Sequence, residues 1–239
     1  MEKSPAPALS KGLHIIDLVA KEETLSFGQL QKLTGYNVSS LNRYIKVLLE
    51  SGYLSRTKDQ KYMIGMKSVI LSKSNTLWRS LVNRSKKVLE YISEKYEVTV
   101  LVIGYGENSY TALNKIAHKD NLTMMEIGHT EKDILTHAPW GIPYLAYNDE
   151  STKSNILAQL EEEKRVEINE MLNEIEDQGY LTYKSNSHSE ILRIAVPLVD
   201  RSGQLIGVLG MGTFYSKFHK DTFDTLIRDM LNGVEEIVG

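Results

Sequence analysis

Residues 38–51 constrain this chain more than any other segment. Leu41, Ile45, Leu48 and Leu49 stand at i, i+4, i+7 and i+8, one apolar stripe at helical spacing, while Ser39, Ser40, Asn42, Arg43 and Lys46 take the other positions and Gly52 ends the run. A helix of this kind lays its back on other apolar side chains and presents hydroxyls, an amide and two cations outward. The flanking sequence supplies the support. Leu13, Ile16 and Val19 or Ala20 recur at helical spacing over residues 9–20, and Leu30 and Leu33 follow in a short second helix with Ser26 as N-cap and Gly35 as stop. Downstream, residues 53–56 and 61–64 flank the turn-forming Thr57-Lys58-Asp59-Gln60 and predict a strand–turn–strand unit. Three helices, a tight turn before the third and a basic hairpin together predict a winged helix-turn-helix over residues 1–65.

That arrangement suits a DNA groove. Ser39, Ser40, Asn42, Arg43 and Lys46 offer the hydroxyls, amide and cations that base edges and phosphates accept, and Arg56, Lys58 and Lys61 put positive charge on the wing. A helical module for protein contacts, with the same side chains merely solvated, is the alternative. The charge distribution favours DNA: residues 1–87 hold 15 Lys+Arg against 6 Asp+Glu, leaving 13 against 25 in residues 88–239. The overall charge of −3 therefore splits into +9 and −12, and a polyanion partner is expected for the first part only. A gradient of solvated surface charge is the competing explanation.

Residues 66–96 contain no Pro or Gly and carry Leu71, Leu77, Trp78, Leu81, Val82, Val88, Leu89 and Ile92 among basic residues. This predicts a helical linker, whose apolar side chains either form a dimerisation surface or pack on their own chain. Beyond residue 97 the periodicity changes. Strands are expected at 98–104, 110–117, 181–184, 191–199 and 205–214, with helices at 151–162, 164–178 and 220–238, an order that suggests a mixed sheet covered by helices. The fold class is α+β.

A search for chemistry narrows the options. With no cysteine there are no disulfides, thiolate metal sites or cysteine nucleophiles, and a reducing, cytoplasmic setting is expected. The histidines at 14, 118, 129, 137, 188 and 219 show no HxxxH or HExxH spacing, residues 207–212 sit in a strand pattern rather than a phosphate loop, and GxSxG and Walker motifs are absent. No catalytic or metal-ligating residue and no cofactor is expected. No apolar run approaches the roughly 18 residues that span a bilayer, and no charged-then-apolar leader opens the chain, so no membrane partner is expected either. An enzyme or a protein adaptor built on the second half is the alternative to a DNA-binding regulator.

Arg193 is the most informative residue of that half. If Asp200-Arg201-Ser202-Gly203 is a hairpin loop, Val199 faces Gln204, Arg193 faces Gly210 and Ile191 faces Gly212. Both strands are apolar on both faces, so the sheet is expected to be covered on both sides and Arg193 to be at least half-buried, where arginine needs a partner. The two glycines would leave open volume above a guanidinium, and a bidentate carboxylate would fill it. An internal ion pair to Glu190, with the glycines marking close helix packing, is the other possibility.

The run Ala8-Leu9-Ser10-Lys11-Gly12-Leu13, then Leu25-Ser26-Phe27, Leu33-Thr34-Gly35, Ser39-Ser40-Leu41-Asn42-Arg43 and Leu48-Leu49-Glu50-Ser51-Gly52-Tyr53-Leu54, resembles the DNA-binding domain of the IclR family of bacterial transcriptional regulators. Asp177-Gln178-Gly179-Tyr180 and Ile194-Ala195-Val196-Pro197-Leu198-Val199-Asp200 with Gly203 are similar to that family's effector domain. The resemblance implies a GAF-like sensing and oligomerisation domain over 97–239, a small-molecule effector, a double-stranded operator and a homodimer or tetramer. It also implies a pocket drawing on the 191–199 and 205–214 strands and on residues 137–144. The ligand-binding candidates are thus His137, Trp140, Gly141, Tyr144, Tyr183, Arg193, Gly210 and Gly212. Trp140, the two prolines of that segment, Gly210 and Gly212 depart from the family's usual residues. The effector is expected to be a small carboxylate.

Overall fold

The computed structural model describes residues 4–74, 76–122, 124–135, 139–184, 190–217 and 220–239. It divides into two compact units, 1–76 and 77–239. The first contains helices α1 (Pro7–Lys21), α2 (Phe27–Thr34) and α3 (Val38–Glu50), strands β1 (Leu54–Arg56) and β2 (Tyr62–Ile64), and helix α4 (Met66–Ser74). Local chemistry sets its helix ends. Ser26 and Gln29 form a reciprocal capping box at the start of α2, with Gln29 N–H donating to Ser26 Oγ at 3.3 Å and Ser26 N–H to Gln29 Oε1 at 2.8 Å. Gly35 ends that helix in the left-handed region at φ 67°, and Asn37 caps α3 by accepting from Ser40 N–H at 2.8 Å.

The stripe on α3 behaves as its spacing requires. Leu41, Ile45 and Leu48 are buried with Ile15, Val19, Leu25, Leu30, Leu54 and Tyr62, whereas Leu49 packs only at the margin. Strands β1 and β2 pair antiparallel, and the backbones of Leu25 and Tyr62 exchange bonds of 3.0 and 2.7 Å, which ties the wing to the α1–α2 connection. Gly65 closes the wing where any Cβ would run into the Gly52 carbonyl.

The second unit begins within α5 (Thr76–Tyr96) and continues through β3 (Thr99–Gly106), β4 (Ser109–Ile116), β5 (Thr130–Glu131), α6 (Ile142–Ala146), α7 (Glu150–Leu157), α8 (Glu162–Gln178), β6 (Leu181–Lys184), β7 (Ile191–Val199), β8 (Leu205–Phe214) and α9 (Lys220–Val238). Its six strands run in the order β5-β4-β3-β8-β7-β6. Among the described residues every pairing is antiparallel, so the sheet is not mixed in strand direction as the interleaved helices suggest. The helices instead connect strands on the two flanks. Leu81, Val88, Leu89 and Ile92 of α5 and Leu226, Met230 and Ile237 of α9 cover one face through Val100, Val102, Leu192, Ile194, Val196 and Met211. Ile142 and Leu145 of α6 and Ile168, Leu172 and Ile175 of α8 cover the other through Leu101, Ile103, Ala195 and Val208. The buried part of α5 therefore packs on its own chain. On α4, by contrast, Met66, Val69, Ile70 and Leu71 are 48–78% exposed.

The β7–β8 register differs from the expected one. Val199 pairs with Leu205 rather than Gln204, and a bulge then sets Leu198 against Gly207, Ala195 against Gly210 and Arg193 against Gly212. Asp200 is the cause at the loop: its backbone N–H bonds Gln204 O, and its carboxylate accepts from Ser202 N–H, Ser202 Oγ and Gln204 N–H, so Asp200 and Gln204 close the turn between themselves. The loop and the bulge each move the register by one residue. Two such shifts restore the original face, which is why Arg193 still lies on the same side as Gly210 and Gly212.

Leu41→Ala should destabilise the first unit by about 2–5 kcal/mol through the cavity it leaves, measured by denaturant unfolding. Val47→Ala, on the exposed side of the same helix, should change stability by no more than about 0.5 kcal/mol.

Candidate functional site

The residues expected to carry chemistry fall in two places, one in each unit. On α3, Ser39, Asn42, Arg43 and Lys46 are exposed and Ser40 is half-buried, on the sides away from the Leu41–Ile45–Leu48 seam. Lys46 Nζ lies 3.7 Å from Glu50 Oε1 with both side chains mostly in water. Such a pair holds the ammonium weakly and can give it up to a phosphate. On the wing, Arg56 donates to Gln60 Oε1 at 2.8 Å and stands 5.4 Å from the centre of the Tyr62 ring, so its guanidinium is oriented before any partner arrives. Lys58 and Lys61 are exposed beside it. The wing turn is closed by Thr57, which bonds Lys61 O through its amide at 2.8 Å and accepts from Lys61 N–H through its hydroxyl at 3.1 Å.

In the second unit a cavity of about 210 Å³ is lined by Leu122, Met124, Met125, Trp140, Ile191, Arg193 and Gly212. Arg193 is half-buried on its floor. Burial pushes its guanidinium below the usual range, an effect that the nearby Tyr183 and Tyr110 oppose. Tyr183 is the cross-strand neighbour of Arg193 on β6. The space above the glycines is used differently from the expectation. A Cβ on Gly210 would come within 2.6 Å of the Trp140 ring, and one on Gly212 would collide with Met124 Sδ. The glycines admit an indole and a thioether onto the sheet; the open volume lies beside them, over Arg193.

Not every candidate lines this cavity. Gly141 sits against Ile134, whose carbonyl a Cβ would strike, and borders a separate small void with Ile142 and Ile168. Tyr144 packs on Tyr105 with ring centres 5.4 Å apart, and Tyr105 donates from its hydroxyl to Trp140 O at 2.6 Å. Burial pushes the Tyr105 phenol well up, so it stays a neutral donor that fixes the Trp140 backbone. His137 lies outside the described residues. The sequence reading missed Leu122, Met124, Met125 and Ile191. The first three belong to an irregular segment with no periodicity, and their one signal was apolar residues amid polar ones. Thr99 Oγ1 holds this segment by donating to Leu122 O at 2.7 Å, and Asn121 Nδ2 bonds Glu97 O and Thr213 Oγ1 at 2.6 and 3.0 Å.

Residues 8–58 match the model of the IclR helix-turn-helix domain, and residues 77–238 match that of the bacterial transcriptional regulator IclR C-terminal domain. The chain belongs to the IclR family. Among characterised relatives it is similar to the HTH-type transcriptional regulator KdgR of Dickeya chrysanthemi, 22% identical over 233 residues that cover 92% of this chain and 76% of that one. Its fold is shared by the Thermotoga maritima IclR (TM-score 0.69, 22% identity, 97% of each chain covered) and by an IclR homologue of Microbacterium hydrocarbonoxydans crystallised with 4-hydroxybenzoate (TM-score 0.75, 13% identity, 97% of each chain covered). This IclR-family chain is thus a transcriptional regulator with a helix-turn-helix DNA-binding domain followed by the C-terminal domain of that family, a family of regulators rather than enzymes. Among the described residues no helix is long and apolar enough to cross a membrane.

Proposed function

We propose that the effector of this regulator is a small carboxylate held over Arg193, and that the protein acts in the cytoplasm as a homodimer or tetramer on a two-fold operator. The observation that carries the ligand reading is a half-buried guanidinium on the floor of a cavity otherwise walled by Leu122, Met124, Met125, Trp140 and Ile191. A planar carboxylate meets a guanidinium through two parallel hydrogen bonds, and the apolar wall accepts the rest of the molecule. A volume of about 210 Å³ suits a compact acid, of the size of the 4-hydroxybenzoate bound by the Microbacterium homologue. Trp140, Gly210, Gly212 and Tyr183 shape this end of the site; His137, Gly141 and Tyr144 stay as candidates for its surroundings.

On the DNA side, Ser39, Ser40, Asn42, Arg43 and Lys46 face the major groove and Arg56, Lys58 and Lys61 the backbone or minor groove. The exposed cations on one face of α3 and on the wing support this. Assembly is supported by apolar surface in the first unit. Besides the exposed side chains of α4, Leu9, Leu13 and Val47 are 52–62% exposed around a groove of about 590 Å³ between α1 and α3. That groove is lined mostly by apolar side chains, with Arg43, Tyr44, Ser51 and Tyr53 among them, and fits a second copy better than a small ligand. Bound ligand would then bias the spacing or orientation of two DNA-binding domains and so their fit to paired half-sites.

Arg193→Ala should abolish the rise in melting temperature that 4-hydroxybenzoate or a related small acid gives the wild type, while far-UV circular dichroism stays unchanged. An unaltered response would remove Arg193 from the site. Arg43→Ala should weaken operator binding by about 1–3 kcal/mol. In a salt titration a base contact relaxes specificity, and a phosphate contact lowers all affinities alike and reduces the salt slope by about one. Light scattering at micromolar concentration should give a dimer or larger species, and Ile70→Asp on α4 should weaken it. Leu81, being 2% exposed in the second unit's core, is unsuitable for that test because a charge there would unfold the domain.

A further inference from the structure

Two neighbours on β4 reach in opposite directions, and each holds a different part of the second unit. Lys115, whose side chain is only 10% exposed, points to the cavity side of the sheet, where its Nζ donates to Met124 O at 3.5 Å and lies 3.3 Å from Glu126 Oε2. Met124 is the residue whose Sδ rests on Gly212. Asn114 points to the α5 side. Its Nδ2 donates to Val82 O at 3.3 Å and Ser85 Oγ at 3.1 Å, and its Oδ1 accepts the Lys115 amide at 3.0 Å.

A β-bulge produces this pair. Pairing with β3 jumps from Val102–Asn114 to Ile103–Ala112, so Leu113 is an extra residue that packs with the α5-side core next to Asn114 before alternation resumes at Lys115. Ser85 is fully buried and donates to Val82 O at 3.0 Å, so Asn114 completes a small polar cluster inside an otherwise apolar helix–sheet interface. The bonds of such a cluster depend on the position of the helix along the sheet, so a slide of α5 would break them. Helix α5 is also the element through which the second unit continues from α4 of the first.

We propose that Asn114 and Lys115 are positioning residues that report occupancy of the cavity to α5. A ligand seated over Arg193 packs against Met124 and shifts it, Met124 carries Lys115 with it through its carbonyl, and β4 passes the shift to Val82 and Ser85 through Asn114. The proposal rests on the Arg193 cavity being the ligand site, and its test uses no ligand, so the two can fail separately.

The substitute for a ligand is Gly212→Ala, whose Cβ occupies the place of Met124 Sδ and forces that side chain away. Amide hydrogen exchange is measured on the full chain for wild type, Gly212→Ala, Asn114→Ala and the double variant, in peptides covering 122–126 and 77–89. Gly212→Ala is expected to raise exchange about threefold or more in both segments; in the Asn114→Ala background it still raises 122–126 and adds nothing in 77–89. Lys115→Met should uncouple the segments in the same way and Lys115→Arg should restore them, which keeps the test open if Asn114→Ala folds poorly. A purely structural Asn114 would raise exchange in α5 by one factor in both backgrounds and leave the Gly212→Ala increment intact. That result, or a Gly212→Ala variant in which either segment keeps wild-type exchange, overturns the proposal.

Discussion

The ladder between β3 and β8 is the contact on which the second unit depends. It joins the β3–β4 hairpin to the β7–β8 hairpin, pairing Thr99 with Gly212 and Ile103 with Val208 across more than a hundred residues of chain. Only when it forms is there a sheet wide enough for α5 and α9 to cover on one face and α6 and α8 on the other. The cavity over Arg193 depends on it as well. Tyr183, Arg193, Gly212 and Thr99 stand in one row across β6, β7, β8 and β3, so a floor built from four strands places the guanidinium, the glycine beneath Met124 and the threonine that pins Leu122.

The small residues on this floor have a specific physical role. Trp140 and Met124 come closer to the sheet than any side chain at 210 or 212 would allow. Their apolar mass displaces water from one side of Arg193, and the resulting desolvation is what lowers the stability of its charged form. If an anion is the ligand proposed above, the apolar wall contributes to its binding as much as the arginine, because charge pairing is stronger where water is displaced.

The legibility of the sequence differed between the two units for a physical reason. In the first, the constraints that end and orient the helices are local: the capping residues Ser26, Asn37 and Gly35 lie within a few positions of the helices they bound, and the α3 stripe states its own buried face. In the second, the strands were visible from their composition, but their partners were not. Asp200 reads as a loop residue, yet that it closes the turn on Gln204, and that a bulge follows, is decided by hydrogen bonds that no spacing rule encodes. The face of Arg193 was recoverable because parity survives an even shift; its cross-strand neighbour was not. The Met124–Met125 wall was hidden more completely, since an irregular segment held by Thr99 and Asn121 has no period to read.

The outermost strands of the six-stranded sheet are β5 and β6, with two and four residues, whereas the strands between them have eight to ten. Such stubs leave only short edges of their own on which another chain could extend the sheet. Growth of the sheet from copy to copy, the route that leads to continuous β-ribbons and to aggregation, finds little to build on in these two end strands. Contacts through side chains on the helical layers are of another kind: they are finite, can be weakened one residue at a time, and can be made and broken without disturbing the sheet that floors the cavity.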